Sequence, residues 1–129
     1  MKIGSVIRTQ VTDTTPPKIK WFIIVGEADG DLAIVYINTD PRIQAPTAEL
    51  QGLQLPLIEK ECPFLEYDSH VDCSDLREKK VKGIEKLLQQ DPKRLKGILT
   101  PSKLKEVQDL IKKAKSVSPF HKKKYGLTF

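Results

Sequence analysis

The chain has 129 residues, of which 39% are hydrophobic and 30% are charged, and these values are ordinary for a soluble globular protein of one domain. Its first residues lack the apolar stretch of a signal peptide, and its longest apolar run, Trp21–Val25, is too short to cross a bilayer. We therefore predict one cytoplasmic domain over residues 1–129, with no membrane segment.

The charge of the chain is distributed unevenly. Residues 1–75 hold six Lys or Arg and twelve Asp or Glu, a net charge of −6, whereas residues 76–129 hold sixteen and five, a net charge of +11. A basic segment of this kind favours an anionic partner, either nucleic acid or an acidic protein. The alternative is that these lysines only solvate the outer faces of surface helices.

The N-terminal part of the chain predicts a strand followed by a hairpin. Gly4–Val11 is rich in β-branched residues and predicts a first strand, and the two prolines in residues 12–17 predict a loop. Lys20–Gly26 is a short apolar run typical of a central strand. Ala28–Asp31 has the composition of a hairpin turn, and Leu32–Asn38 is the predicted returning strand.

The middle of the chain predicts a loop and two further extended segments. Residues 40–52 are polar and begin with Asp-Pro, which predicts a long loop. Leu53–Leu57 alternates and contains a proline, which is typical of an edge strand. Leu65–Cys73 alternates between apolar and polar residues and predicts another strand.

The C-terminal part predicts helices. Ser74 can cap a helix that begins at Asp75 and continues to about Gln90, and Lys96–Leu99 predicts a short extended link. Thr100 and Pro101 predict the start of a second helix. Its apolar stripe consists of Leu104, Val107, Leu110, Ile111 and Ala114. We thus predict a strand-rich part over about 1–75, a helical part over about 75–115 and a basic tail over 116–129, whose apolar residues could dock on the domain or on a partner.

His70 is a candidate for acid–base chemistry. It lies on the same predicted strand face as Asp68 and Asp72, so a carboxylate could orient it, and histidine titrates near neutral pH. The alternative is a histidine without a catalytic role, either on the surface or packed in the domain. Cys62 and Cys73 are expected to be reduced thiols; with His70 they offer three metal ligands, but no CxxC pair is present, and we predict neither a metal site nor a cofactor.

The order of these elements resembles the MazF/PemK-like toxins of bacterial toxin–antitoxin pairs. The similar segments, in chain order, are Gly4–Val6, Lys18–Val25, Ile37–Thr39, Asp68–Asp72 and Lys96–Leu104. The resemblance implies an α+β fold in which a small SH3-like β-barrel is followed by C-terminal helices. It also implies metal-independent cleavage of single-stranded RNA, inhibition by a short antitoxin protein, and a homodimer.

The resemblance also indicates which residues would act. The family has an arginine at the start of its second strand and a Thr or Ser after its third, and Lys20 and Thr39 stand at these places. With His70 they form the predicted catalytic set. The predicted RNA-binding residues are Lys18, Trp21, Asn38 and Arg42.

Two differences from the family pattern support a second hypothesis. Lys20 replaces the arginine, and a lysine lacks the bidentate fork of a guanidinium, while Trp21 replaces the proline that follows it. The second hypothesis is therefore a non-catalytic SH3-like interaction module that binds an acidic protein or nucleic acid.

Overall fold

A computed structural model describes residues 1–11, 18–38 and 47–129 of the chain. The fold is α+β, with one antiparallel sheet and helices on both of its faces. The strands are β1 (Ser5–Val11), β2 (Lys18–Ala28), β3 (Asp31–Asn38), β4 (Gln54–Leu57), β5 (Ser69–Asp72), β6 (Arg77–Lys80) and β7 (Leu95–Ile98). The helices are α1 (Ala48–Gln51), α2 (Val81–Gln90), α3 (Pro101–Lys113) and α4 (Pro119–Lys124), with a 3₁₀ turn at Pro92–Arg94.

The sheet has the strand order β4-β5-β3-β2-β1-β7, and every pairing in it is antiparallel. Strand β3 has two partners along one edge, because β6 pairs with Asp31–Ile34 and β5 pairs with Ile37 and Asn38. The sheet therefore curls into a half-barrel, with β4 and β7 at its two edges.

The β2–β3 hairpin is confirmed as predicted. Asp29 and Gly30 form its turn with φ of 54° and 79°, and two positive φ values in succession match the right-handed twist of the flanking strands. Further along the hairpin, the register shifts by one residue between Ile24 and Gly26, where β2 contains a bulge.

One face of the sheet carries the larger apolar cluster. Ile23, Val25 and Val35 are fully buried on this face, where they meet α3 through Val107 and Ile111. The segment of residues 53–65 and the C-terminal residues also join this cluster. The apolar stripe predicted for α3 is the face that packs here, and the predicted Thr100 cap and Pro101 start are both confirmed.

The opposite face carries a smaller apolar cluster that α2 covers. Phe22, Ile24 and Ile34 are buried on this face and pack against Ile84 of α2. Helix α2 is short and does not cover the whole face. The part of the face that lies beyond it is polar and holds the candidate site.

The predicted helix start at Ser74 and Asp75 is wrong. Residues Arg77–Lys80 form β6, and the helix begins only at Val81, with Lys80 at the N-cap and no side-chain cap. Without β6, the backbone N–H and C=O groups along one edge of Asp31–Ile34 would have no partner, and pairing with β6 provides their hydrogen bonds. Long-range pairing of this kind can impose a strand on residues whose local sequence does not predict one.

Three other boundaries differ from the prediction. Helix α1, capped by Thr47, occupies the end of the predicted loop over 40–52, and residues 39–46 lie outside the described residues. The predicted strand Leu65–Cys73 is reduced to Ser69–Asp72. The tail, for which no helix was predicted, contains α4, and Ser118 caps this helix. Within the described ranges, no helix is both long enough and apolar enough to cross a membrane.

The basic tail docks through an ionic network around Glu78 of β6. The ammonium of Lys124 contacts Glu78 at 2.8 Å and Asp31 at 2.7 Å, His121 contacts Glu78 at 2.9 Å, and the Tyr125 hydroxyl donates to Glu78 at 2.5 Å. The bonds from Lys124 and then Tyr125 lower the pKa of Glu78 to about 2. The tail is thus a packed part of the domain.

Candidate functional site

Four polar side chains form a row across the sheet, on the face that α2 partly covers. Thr9 pairs with Lys20 between β1 and β2, and Asn38 pairs with His70 between β3 and β5. A hydrogen bond from Lys20 to Asn38 joins these two pairs. Lys20 and Asn38 are neighbours because β2 and β3 pair Trp21 with Ile37, the next position of the ladder. We call Thr9, Lys20, Asn38 and His70 the polar row.

The polar row is mostly buried. Thr9 and Asn38 are each 8% exposed and His70 is 6% exposed, whereas Lys20 is partly exposed. Burying a polar group costs free energy unless the group is hydrogen-bonded. Hydrogen bonds within the row are therefore needed to keep these side chains in the sheet. Lys20 donates from Nζ to Asn38 Oδ1 at 3.0 Å, and its ammonium lies 5.2 Å from the ring centre of Tyr36, within the range of a cation–π contact.

Two arginines flank the row. Arg77 of β6 lies over the same Tyr36 ring at 5.3 Å and forms an ion pair with Asp75 at 3.1 Å. Arg94 of the 3₁₀ turn donates to the Thr9 hydroxyl at 3.5 Å and lies 3.6 Å from a carboxylate oxygen of Asp91. About a third of each arginine side chain is exposed, so each guanidinium can contact an anion from solvent.

The carboxylates predicted to orient His70 have other hydrogen-bond donors. Asp72 lies on the same strand face, and its Oδ1 accepts from Gln54 Nε2 at 2.8 Å and from the amide and hydroxyl of Ser74 at 3.1 and 2.5 Å. Asp68 accepts from the backbone amide of Glu59 at 2.9 Å. These bonds fix the end of β5 and therefore the position of His70 in the row.

The structure brings together three of the residues predicted for the site. Lys20, Asn38 and His70 lie in the polar row, and Lys18 is exposed two residues before Lys20 on β2. Trp21 is separated from them, because it packs against the cluster on the opposite face of the sheet. Thr39 and Arg42 lie outside the described residues.

Sequence reasoning did not identify Thr9, Arg77 or Arg94 as members of the site. Thr9 could have been found from strand pairing, since a first strand antiparallel to β2 places some residue of β1 opposite Lys20. No pattern near Arg77 or Arg94 indicated their positions, because both depend on the path of the chain through β6 and α2.

The site combines the cations of Lys20, Arg77 and Arg94 with two neutral polar groups and one histidine. Lysine and arginine neutralise phosphate oxygens, amide and hydroxyl groups of Asn38 and Thr9 hydrogen-bond, and histidine transfers protons near neutral pH. Among residues 1–11, 18–38 and 47–129, no group of three or more His, Cys, Asp or Glu side chains is placed to hold a metal ion. Cys62 and Cys73 are both free thiols.

The sequence was compared with protein-family models and with curated proteins. No protein-family model matches the chain, and no curated protein is similar to it in sequence. The resemblance to the MazF/PemK-like toxins therefore stays a prediction.

Proposed function

We propose that the chain is a cytoplasmic, metal-independent endoribonuclease that acts on single-stranded RNA, and that it is the toxin of a toxin–antitoxin pair of the MazF/PemK type. The observation that carries this proposal is the polar row, in which Lys20, Asn38 and His70 share one face of the sheet. These three residues come from three different strands, and Arg94 and Arg77 stand beside them.

The fold is compatible with the proposal. A curled antiparallel sheet with a long β2–β3 hairpin is compatible with a small barrel fold. We propose that the half-barrel is of the SH3-like type, and that a homodimer and a short antitoxin complete the system.

In the proposed reaction the 2′-hydroxyl of the RNA attacks the adjacent phosphorus, and the 5′-oxygen of the next nucleotide leaves. Neutral His70 would accept the proton of the 2′-hydroxyl as the general base. The ammonium of Lys20 and the guanidinium of Arg94 would stabilise the charge that develops on the non-bridging oxygens. The leaving 5′-oxygen takes a proton from water, and the products are a 2′,3′-cyclic phosphate and a free 5′-hydroxyl, after which His70 returns its proton to solvent.

The chain offers a matched pair of variants for testing this reaction, because it contains only two histidines. We expect the purified protein to cleave a single-stranded RNA in the presence of EDTA. His70→Asn should slow cleavage by about 10²–10⁴-fold, the usual contribution of a general base. His121→Asn, which alters a contact to Glu78 in the tail, should leave the rate unchanged.

Two results would reject the nuclease. One is intact RNA under all conditions with wild-type protein whose circular dichroism spectrum shows it to be folded. The other is a His70→Asn variant that is folded and cleaves RNA as fast as the wild type. Lys20→Gln should also reduce the rate, and Lys113→Gln on α3 serves as its control on the opposite face of the sheet.

The burial of the row favours a second candidate function, which is binding without cleavage. His70 is only 6% exposed, so its ring has little surface for an attacking hydroxyl. An interaction module of the same fold would hold nucleic acid or an acidic protein through the partly exposed cations. Binding of intact RNA that weakens steeply with salt would support this function. Binding that does not respond to salt would count against it.

A further inference from the structure

Some lysines of this protein are ion-paired, and others, including Lys113 and Lys123 on α3 and α4, are exposed with no carboxylate partner in the described part of the chain. Several on the face packed by α3 and α4 are ion-paired: these are Lys103, Lys105, Lys112 and Lys124. In contrast, Lys82, Lys86, Lys93 and Lys96 are exposed, and no carboxylate of the described part of the chain lies within salt-bridge distance of them. These four lysines belong to one continuous stretch formed by α2, the 3₁₀ turn and β7.

This stretch leads directly to the polar row. Arg94, next to Lys93 in the 3₁₀ turn, donates to the hydroxyl of Thr9 at the β1 end of the row. Helix α2 begins beside the hairpin turn, where the Val81 amide donates to the carbonyl of Gly30, and it ends at the 3₁₀ turn. The helix thus crosses the strands over about 15 Å, at 1.5 Å per residue.

The two flanks of α2 differ in charge. The flank that carries Glu85 and Gln89 faces the far end of β2, since these residues line a pocket of about 610 Å³ together with Glu27. The opposite flank, which carries Gly83 and Leu87, therefore faces the Lys20 end of β2. Glu85 is the only acidic residue of α2, so the flank toward the polar row has no carboxylate of its own.

The side of α2 that faces away from the sheet is exposed to solvent. A side chain placed on Gly83 would meet no atom within 4 Å. Ile84 faces the sheet, and Lys82 and Lys86, four residues apart, lie on the same side of the helix, away from the sheet. Lys82, Lys86 and Lys93 therefore form a cationic strip on the outer side of α2 and the 3₁₀ turn, and this strip reaches the polar row through Arg94.

We propose that the strip is a phosphate track, along which single-stranded RNA leaves the polar row, passes the 3₁₀ turn and follows α2, with its phosphates contacting Lys93, Lys86 and Lys82. This inference rests on the proposed function and adds the path of the substrate. A membrane is the poorer fit, since insertion into lipid needs an apolar face, and the exposed large apolar residues of this stretch, Leu95 and Ile98, lie on β7 and not on α2.

The test measures binding of non-cleavable 2′-O-methyl oligouridylates of two lengths, a trinucleotide and a dodecanucleotide. The test variant is Lys86→Gln/Lys93→Gln. Its matched control, Lys113→Gln/Lys123→Gln, removes two exposed lysines from α3 and α4 and changes the net charge equally. Fluorescence anisotropy at a series of salt concentrations gives Kd and its salt dependence.

We expect the test variant to bind the dodecanucleotide about tenfold more weakly at low salt and to lose about 1.4 from the slope of log Kd against log salt, about 0.7 for each phosphate contact. Its affinity for the trinucleotide, which reaches only the row, should stay within about twofold of the wild type. The control should match the wild type for both oligonucleotides.

Equal dodecanucleotide affinity for the two double variants would overturn the track. If the two double variants bind equally but Lys20→Gln abolishes binding, the proposed function would stand without the track. A wild-type protein that binds neither oligonucleotide would remove both proposals. Binding to phosphatidylserine vesicles or to polyglutamate that depends on Lys86 and Lys93 more strongly than RNA binding does would overturn the assignment of the track to RNA.

Discussion

The ionic network that docks the tail gives a quantitative prediction for Glu78→Gln. The contacts from Lys124 and Tyr125 lower the pKa of Glu78 from 4.5 to about 2. A pKa displacement of this size corresponds to about 3 kcal/mol in a site shielded from water. The Glu78 side chain is 32% exposed, so solvent screening reduces the expected contribution to about 1 kcal/mol.

The sign of the pH dependence follows from the direction of the pKa shift. The folded protein binds the Glu78 proton less readily than the unfolded chain does, so the stabilisation is fully present above about pH 4.5 and is lost as pH falls toward about 2. We expect Glu78→Gln to lower the free energy of unfolding at pH 7 by about 1 kcal/mol, and we expect the difference from the wild type to shrink between pH 4.5 and 2.

Urea denaturation followed by circular dichroism, repeated from pH 7 downward, measures this difference. Glu85→Gln is the control, because Glu85 is an exposed carboxylate of α2 outside the network. A Glu78→Gln variant whose stability deficit stays constant down to pH 2, or equals that of Glu85→Gln at pH 7, would refute the reasoning.

Three further predictions concern packing and burial. Leu127→Ala should lower the free energy of unfolding by about 2–4 kcal/mol, because Leu127 is 2% exposed. Phe129→Ala, at an 85% exposed position, should change it by less than about 0.5 kcal/mol. Equal effects of the two substitutions in urea denaturation would contradict the docking of the tail. Gly97→Ala should cost about 1–2 kcal/mol, because the new Cβ would lie 2.5 Å from Cδ1 of Phe64, and a thermal midpoint equal to the wild type would show that this ring moves freely. The Cys73 thiol, whose pKa burial raises to about 12, should react with a thiol reagent only when the protein unfolds, and rapid labelling in native buffer, detected by peptide mass spectrometry, would contradict its burial.

The parts of the fold that depend on local chemistry were predictable from the sequence. Asp29-Gly30 between two apolar runs specifies a hairpin turn, and Thr100-Pro101 specifies a helix start, and both are present. Strand β6 was not predictable, because its four charged residues show no strand pattern and form a strand only through pairing with the first half of β3.

The register of the polar row shows why the site was only partly predictable. The turn pairs Ala28 with Asp31, and an uninterrupted ladder from there would place position 39 opposite Lys20. The bulge between Ile24 and Gly26 shifts the pairing by one residue, which brings Asn38 to Lys20 instead. Bulges depend on how the whole sheet curls, so the sequence identified the two strands of the site but not their partners.

The same limit applies to Trp21. Trp21 is predicted from the sequence to bind RNA together with Lys20, but neighbours on a strand point to opposite faces. Lys20 therefore faces the polar row while Trp21 packs on the other side of the sheet. The two arginines of the site come from β6 and the 3₁₀ turn, and only the tertiary path of the chain brings them to the row.

The most direct test of the polar row as an RNA-binding site is an NMR titration of ¹⁵N-labelled protein with a non-cleavable oligouridylate. We predict that the amide signals of Thr9, Lys20, Asn38 and His70 shift together and saturate at one Kd, while those of α3 and α4 do not shift. Shifts confined to α3 and α4, or an unchanged spectrum at saturating RNA, would contradict it.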